Sequence, residues 1–332
     1  MARGKKRKTQ GHPARASHTP PEPRSGLSRR AIAAGVALLL VTGLAAILLA
    51  GGGDDPEPGT SVDPQTLAVP WIDPDGVTPL VGSVDVNPAD DSVWLSTNTG
   101  LWRVPAGGGE PEQITGELEG QDISQELVVR FRGPDRLIGS GHPPPGSDLP
   151  PSLGLIESDD AGATWSAISG LGRTDYHAIQ LSGDAIVAGV FQAAAASISD
   201  DGGKTFEDRV TPDPLVDLEA DPDDPARLIA STPQAVIGSA DGGRTWRERD
   251  RIPNVRFTWP EPDVLYRIDP GGPVRSSADG GQTWEQRGDT GGEPQAMFAD
   301  SPDHVVVALI DGTIKESGDG GRTWTDLVTP PA

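Results

Sequence analysis

The hydrophobic pattern divides the chain into two unlike parts. Residues 31–50, AIAAGVALLLVTGLAAILLA, form an uninterrupted apolar run. From about residue 81 onward, apolar residues instead come in short runs such as Val93–Ser96, Ala185–Phe191 and Val305–Ile310, separated by Gly, Pro, Asp and Asn. The first pattern predicts one membrane-spanning helix. The second predicts many short β-strands joined by turns.

A repeated octapeptide sets the spacing of those strands. The pattern Ser-x-Asp-x-Gly-x-Thr-aromatic begins at Ser158, Ser199, Ser239, Ser277 and Ser317, and successive starts lie 41, 40, 38 and 40 residues apart. A period near forty with several strands in each repeat is typical of a β-propeller. Each repeat is interpreted as four strands, with the octapeptide between the third and fourth. The sequence then predicts six blades, at about 81–117, 125–170, 176–211, 215–251, 254–290 and 295–330.

The residue types of the octapeptide predict a structural turn. Asp and Ser side chains can hydrogen-bond to nearby backbone amides, and Gly adopts the positive φ of tight turns. The turn aspartates are Asp160, Asp201, Asp241, Asp279 and Asp319, and the aromatics predicted to pack between blades are Trp165, Phe206, Trp246, Trp284 and Trp324. The spacing and terminal Glu of a calcium-binding EF-hand are missing. No metal site and no cofactor are predicted.

These octapeptides resemble the Asp box, also called the bacterial neuraminidase repeat. The family includes sialidases, sortilin-type receptors, some xyloglucan-acting hydrolases and a photosystem assembly factor. In those proteins the box is a structural turn away from the active site. The resemblance therefore implies a propeller and leaves the function open.

A narrower resemblance involves four further runs. The segments 84–88, 99–104, 140–143 and 175–178 resemble actinobacterial repeat proteins usually labelled glycosyl hydrolase or exo-α-sialidase. A sialidase would imply an arginine triad, a Tyr-Glu nucleophile and an Asp acid. The Arg251-Ile252-Pro253 run follows the third octapeptide, whereas the family has this motif before the first, and only Tyr176 and Tyr266 are available as nucleophiles.

Charge and composition extend the prediction to topology. Residues 1–30 hold nine Lys/Arg and one acid, a net charge of +8, so the rest of the chain carries −30. The positive-inside rule places a basic tail (1–30) in the cytoplasm, a membrane helix at 31–50, an acidic linker at 51–65 and the propeller (66–332) outside the cell membrane. A cleaved signal peptide is the alternative interpretation. The acidic propeller argues against nucleic-acid binding, and we expect a monomer.

The candidate site lies at the end of the propeller opposite the octapeptides, which we call the loop end. The long loop 141–152 and the link 172–177 both emerge there. They carry the candidate ligand-binding residues His142, Arg173, Asp175 and His177, and the candidate catalytic residues Asp148, Asp175 and Tyr176. Imidazole and carboxylate groups in one neighbourhood suit sugar binding or proton transfer. A loop stiffened by histidines that bond neighbouring carbonyls is the structural alternative.

The favoured function is recognition of a glycan or a cell-envelope protein by this membrane-anchored propeller. A glycoside hydrolase that uses a carboxylate pair is an alternative from a different class. A third is an assembly or scaffold factor, as the resemblance to the photosystem factor implies.

Overall fold

The computed structural model describes residues 80–123, 127–190 and 193–330, together with Met1. The predicted tail, membrane helix and linker at residues 1–65 lie outside these ranges, apart from Met1. Within the ranges, no helix is both long and apolar enough to cross a bilayer.

The described residues form six β-sheets, one for each predicted blade. Blade one contains β1 (Val81–Val86), β2 (Val93–Thr97), β3 (Gly100–Val104) and β4 (Glu112–Ile114). Blade two contains β5 (Glu117–Leu118), β6 (Gln121–Asp122), β7 (Leu127–Gly133), β8 (Arg136–Gly141), β9 (Leu155–Ser158) and β10 (Thr164–Ser169). Blade three contains β11 (Ala178–Ser182), β12 (Ala185–Val190), β13 (Ala195–Ser199) and β14 (Glu207–Val210).

The second half of the ring repeats the four-stranded pattern. Blade four contains β15 (Asp217–Asp221), β16 (Asp224–Ser231), β17 (Val236–Ser239) and β18 (Arg247–Asp250). Blade five contains β19 (Arg256–Glu261), β20 (Val264–Ile268), β21 (Pro273–Ser277) and β22 (Glu285–Asp289). Blade six contains β23 (Pro294–Ala299), β24 (Val305–Leu309), β25 (Ile314–Ser317) and β26 (Thr325–Val328). The six-bladed all-β prediction is therefore confirmed.

The innermost strand of each blade faces the axis of the ring. It contacts the innermost strands of both neighbouring blades, and these six strands are β1, β7, β11, β15, β19 and β23. The ring closes where β23 contacts β1. The closure includes a hydrogen bond from the Val81 N–H to Gln295 Oε1 at 2.5 Å. Among residues 80–123, 127–190 and 193–330, no strand is shared between the first and last blades. The ring is therefore held by packing and side-chain hydrogen bonds between complete sheets.

Blade two carries an extension that the sequence pattern did not predict. The short hairpin β5–β6 follows blade one in the chain but joins blade two, where β5 pairs in parallel with the outer strand β10. Leu118, which is buried, packs into the core between blades one and two. The hairpin lies beside the long loop 141–152, which it contacts through Gln121.

Buried apolar residues fill the spaces between neighbouring blades. The described part of the chain contains six such clusters, and each combines residues from two adjacent blades. The cluster between blades three and four, for example, joins Val187 and Ala196 to Leu218 and Ile237. This arrangement follows from the sequence, because the strands buried on both faces are the nearly continuous apolar runs.

The octapeptides form one hydrogen-bonded turn five times over. In the third copy, the Ser239 hydroxyl donates to Asp241 Oδ1 at 2.9 Å and accepts the Gly243 N–H at 2.9 Å. The Thr245 N–H and hydroxyl donate to the two Asp241 oxygens at 2.8 and 2.6 Å. The same bonds recur in the other four copies. The octapeptide is therefore a structural turn between the third and fourth strands, as the residue types predict.

The octapeptide aromatics are less buried than predicted. Trp165 is 6% exposed, but Phe206, Trp246, Trp284 and Trp324 are only half-buried. Each of these four packs along the edge of an inter-blade cluster. The physical reason is position: the aromatic precedes the outermost strand of its blade, where one side of the ring faces solvent. Trp165 differs because the extra hairpin β5–β6 covers it.

Candidate functional site

Backbone hydrogen bonds hold the long loop and the inter-blade link together at the loop end. The Gly172 N–H donates to the Ser152 carbonyl at 2.7 Å, and the Gly154 N–H donates to the Thr174 carbonyl at 3.1 Å. The long loop is also fixed to the molecule, because Leu149 and Leu153 are buried in the core between blades one and two. The loop end of blade two is therefore built as one unit.

Three of the predicted site residues meet within this unit. His177 Nε2 lies 2.6 Å from Asp175 Oδ2, and His142 Nε2 lies 3.3 Å from the same oxygen. The two imidazole rings are 6.4 Å apart between centroids. We call His142, Asp175 and His177 the histidine cluster.

The exposure of the histidine cluster suits contact with a ligand. The Asp175 side chain is 10% exposed, whereas those of His142 and His177 are 34% and 38% exposed. The carboxylate is thus nearly buried, close to two imidazoles that are partly exposed to solvent. Such imidazoles can donate or accept hydrogen bonds and can exchange protons with a ligand.

The other predicted site residues have different surroundings. Arg173 and Asp148 are exposed, and the Asp148 N–H donates to Gln121 Oε1 at 2.8 Å. Tyr176 is 3% exposed and packs against Phe206 with ring centroids 5.0 Å apart. Burial raises the pKa of Tyr176 to about 12. The structure therefore places Tyr176 in the core between blades two and three, where its ring contributes packing.

Several carboxyl groups at the loop end have structural roles. Asp269 lies 2.9 Å from Arg267 Nε and 2.9 Å from Arg275 Nε. Glu293 accepts the Gly271 N–H at 2.6 Å, and Asp311 accepts an N–H of its own turn at 2.9 Å. Among the residues described, no group of three or more His, Asp or Glu side chains is arranged to hold a metal ion.

A narrow cavity opens on the axis of the ring at the same end. It encloses about 40 Å³ and is lined by residues from the first strands of all six blades and from the links that precede them, including Arg130, Gln180, Asp217, Arg256 and Gln295. His177 lines it as well, so the histidine cluster adjoins the cavity mouth. A space of this size holds one or two water molecules. A sugar ring is too large to enter it.

The polar lining of the axis was missed by sequence reasoning. Arg130 is 8% exposed and Glu219 is 5% exposed, although both lie on strands that otherwise bury apolar residues. A signal was present, because a Val-Asp dipeptide occurs near the end of the inner strand of blade one (Val84-Asp85) and at the start of that of blade four (Val216-Asp217). Polar residues inside buried strands point to an axis shared with other polar groups.

A second histidine site, also missed, lies at the octapeptide end. His304 Nδ1 is 2.9 Å from Asp300 Oδ1, and His304 Nε2 is 2.7 Å from Glu316 Oε1. The hydrogen bond to Asp300 and that to Glu316 raise the pKa of His304 to about 9, against the effect of burial. Both ring nitrogens are engaged with carboxylates, so His304 is a charged structural link between β23–β24 and β25.

Comparison with known proteins does not assign this chain to a family. No protein-family model matches the chain. No curated protein is significantly similar to it.

Similar solved structures include two of YCF48 and one hydrolase. YCF48 from Cyanidioschyzon merolae is 17% identical over 76% of this chain and 87% of its own, with a TM-score of 0.48. A structure of YCF48 bound to D1 peptide is 21% identical over 75% and 82%, with a TM-score of 0.47. The GH74 xyloglucanase from Xanthomonas campestris is 17% identical over 80% and 48%, with a TM-score of 0.43. At this similarity neither peptide binding nor xyloglucan hydrolysis transfers to this chain. The described part of the chain is an all-β, six-bladed propeller.

Proposed function

We propose that this protein is a membrane-anchored, extracytoplasmic propeller that binds a glycan or a cell-envelope protein at its loop end. The observation that carries the proposal is the histidine cluster. One nearly buried carboxylate oxygen lies 2.6 and 3.3 Å from two half-exposed imidazoles, beside the mouth of the axial cavity. Binding sites are commonly built from such oriented polar groups on loops held by a rigid scaffold.

The shape of the loop end favours binding over glycoside hydrolysis. A glycosidase needs two carboxyl groups that flank the scissile bond within a cleft that holds the sugar. The axial cavity encloses only about 40 Å³, and Asp269, Glu293 and Asp311 are committed to local bonds. In this proposal the ligand contacts the surface around the mouth of the axial cavity.

The binding proposal is tested with a double variant of the cluster. Full-length protein in detergent and the variant His142→Ala/His177→Ala are compared for binding to a glycan array and for crosslinking to envelope proteins in native membranes. Lys204→Ala, an exposed change at the octapeptide end, is the matched control. We expect the double variant to lose at least tenfold in affinity while keeping the melting temperature of the parent. If it binds normally, or melts well below the parent, the cluster only stiffens the loop.

The same preparation separates binding from catalysis. Binding without turnover on a panel of chromogenic glycosides supports the proposal, whereas turnover that the double variant loses would replace it with a hydrolase. The membrane topology is tested by N-terminal sequencing of membrane-extracted protein. A chain that starts near Gly51 would show that residues 31–50 are a cleaved signal rather than an anchor.

A further inference from the structure

The outer edge of blade two is covered by an added strand. Strand β5 lies in parallel against the start of β10, where Leu118 is opposite Trp165. The preceding residue, Glu117, is opposite Thr164, and its N–H donates to the Ala163 carbonyl at 3.1 Å. The edge of an octapeptide blade can therefore accept a further strand. The strand that it accepts here brings an acid and an apolar residue to the octapeptide aromatic.

The corresponding edge of blade four is open. Among the strands that the structure describes, its outermost strand, β18, pairs only with β17. Trp246 occupies the position of Trp165 but is half-buried, whereas Trp165 beneath the added strand is 6% exposed. An unpaired edge presents backbone N–H and C=O groups that can bind an extended segment of another chain.

Blade four also differs from the other octapeptide blades in the charge of this edge. Residues 244–251 hold four arginines and two acids, a net charge of +2. The corresponding segments of blades two, three, five and six carry net charges of 0, 0, −1 and 0, at residues 163–170, 204–211, 282–289 and 322–329. The edge of blade four is therefore a local positive surface on a strongly acidic propeller.

The two acids of this segment are paired with other groups. Glu248 Oε1 lies 2.8 Å from Arg251 Nε, and Asp250 Oδ2 lies 3.0 Å from an arginine of blade five. Arg247 and Arg249 are exposed, and within the described part of the chain neither side chain makes a hydrogen bond or an ion pair. Two guanidinium groups beside the open edge are therefore available to a partner.

The register in blade two indicates where the side chains of such a partner would lie on blade four. Residues paired in neighbouring strands place their side chains on one face, and the faces alternate along each strand. A segment added as β5 is would place one residue over Trp246, as Leu118 lies over Trp165. The next residue would lie opposite Arg247, and the preceding one opposite Thr245 on that same face. An apolar residue between two acids therefore suits this edge.

We propose that the outer edge of blade four, at residues 245–249, binds an acidic, extended peptide segment of another protein by parallel strand addition. An apolar side chain of that segment covers Trp246, and its carboxylates pair with Arg247 and Arg249. Backbone hydrogen bonds supply affinity, and the side-chain contacts select the segment. This surface lies on the outer rim of blade four, whereas the histidine cluster lies at the loop end of blade two, so the two sites are independent.

The test measures binding of a rhodamine-labelled peptide to the full-length protein in detergent by fluorescence anisotropy. The peptide is Gly-Glu-Leu-Glu-Leu-Glu-Gly, which extends the acid–apolar alternation of β5. We expect Arg247→Gln/Arg249→Gln to weaken binding about fivefold, because each exposed cross-strand charge pair contributes modestly. The control Lys204→Gln/Arg322→Gln removes two positive charges from exposed octapeptide positions of blades three and six, and we expect it to bind as the parent does.

A second measurement needs only the parent protein. A peptide with Gln in place of each Glu should bind more weakly, by at least the loss seen in the double variant. Photoreactive benzoylphenylalanine in place of a Leu of the peptide should crosslink to residues 244–250. No saturable binding, equal affinity for the acidic and neutral peptides, or crosslinks spread over other blades overturns the proposal. His142→Ala/His177→Ala should bind the acidic peptide as the parent does, which separates this result from the binding test of the histidine cluster.

Discussion

Removal of the Trp165 side chain should weaken the interface between blades one and two. Trp165 is 6% exposed and packs among Trp94, Leu137 and other buried residues of both blades, and its indole N–H donates to the Gly162 carbonyl at 2.9 Å. Truncation of a buried Trp to Ala typically costs about 3–5 kcal/mol. Each kcal/mol lowers the melting temperature of a domain of this size by about 2–4 °C. Trp165→Ala should therefore melt about 6–20 °C below the parent.

Trp246→Ala is the matched control for this prediction. Trp246 occupies the same position of the third octapeptide but is half-buried, so its truncation exposes less new apolar surface and leaves a smaller cavity. We expect roughly half the loss seen for Trp165→Ala, measured by urea unfolding followed by tryptophan fluorescence and far-ultraviolet circular dichroism. Equal losses in the two variants, or a loss below about 1.5 kcal/mol for Trp165→Ala, would contradict the proposed role of the hairpin β5–β6 in covering Trp165.

Three further predictions concern the turns and their charges. Ser239→Ala should cost about 1–3 kcal/mol in urea unfolding, because the buried Gly243 N–H loses its acceptor, and Ser239→Thr should restore part of the loss. Because the pKa of His304 is raised to about 9, its contribution to stability is complete below about pH 6.5 and is lost as the pH rises through 9. His304→Gln should therefore flatten the dependence of the unfolding free energy on pH between these two values. An unchanged slope would contradict this prediction. The hydrogen bond from the Thr245 side chain, and then that from its backbone, lowers the pKa of Asp241 to about 2. The stability that the ionised Asp241 contributes is therefore present above about pH 4 and is lost as the pH falls towards 2. In a pH series, the unfolding free energy of Asp241→Asn should lie closest to that of the parent at the acid end.

Local chemistry explains why so much of the fold could be predicted. The octapeptide turn is closed by its own residues, with Ser239 and Asp241 bonding to groups two to four positions away. The turn therefore forms wherever the pattern occurs, and its regular spacing requires one blade for each repeat. The apolar runs are buried on both faces because each blade packs between two others. Blade number and turn position thus follow from interactions short in sequence.

The histidine cluster could be predicted only in part. Asp175 and His177 are two residues apart, so their meeting is almost local. His142 reaches the same oxygen because the Gly154 N–H and the Gly172 N–H join the long loop to the link. Sequence adjacency of the two segments was enough to place the three residues in one neighbourhood. Their separate roles, and the burial of Tyr176, depended on how the link packs against Phe206.

The amino-acid sequence by itself determined the six blades, the octapeptide turns and the end of the ring at which His142 and His177 lie, because each depends on periodicity and on contacts within one or two repeats. Only the tertiary structure decided which aromatics are buried, that β5–β6 joins blade two, and that Arg130 and Arg256 share one cavity. Those features arise where blades distant in sequence converge on the axis or where a segment crosses to a neighbouring blade. No local pattern encodes them, since closure of the whole ring brings the groups together.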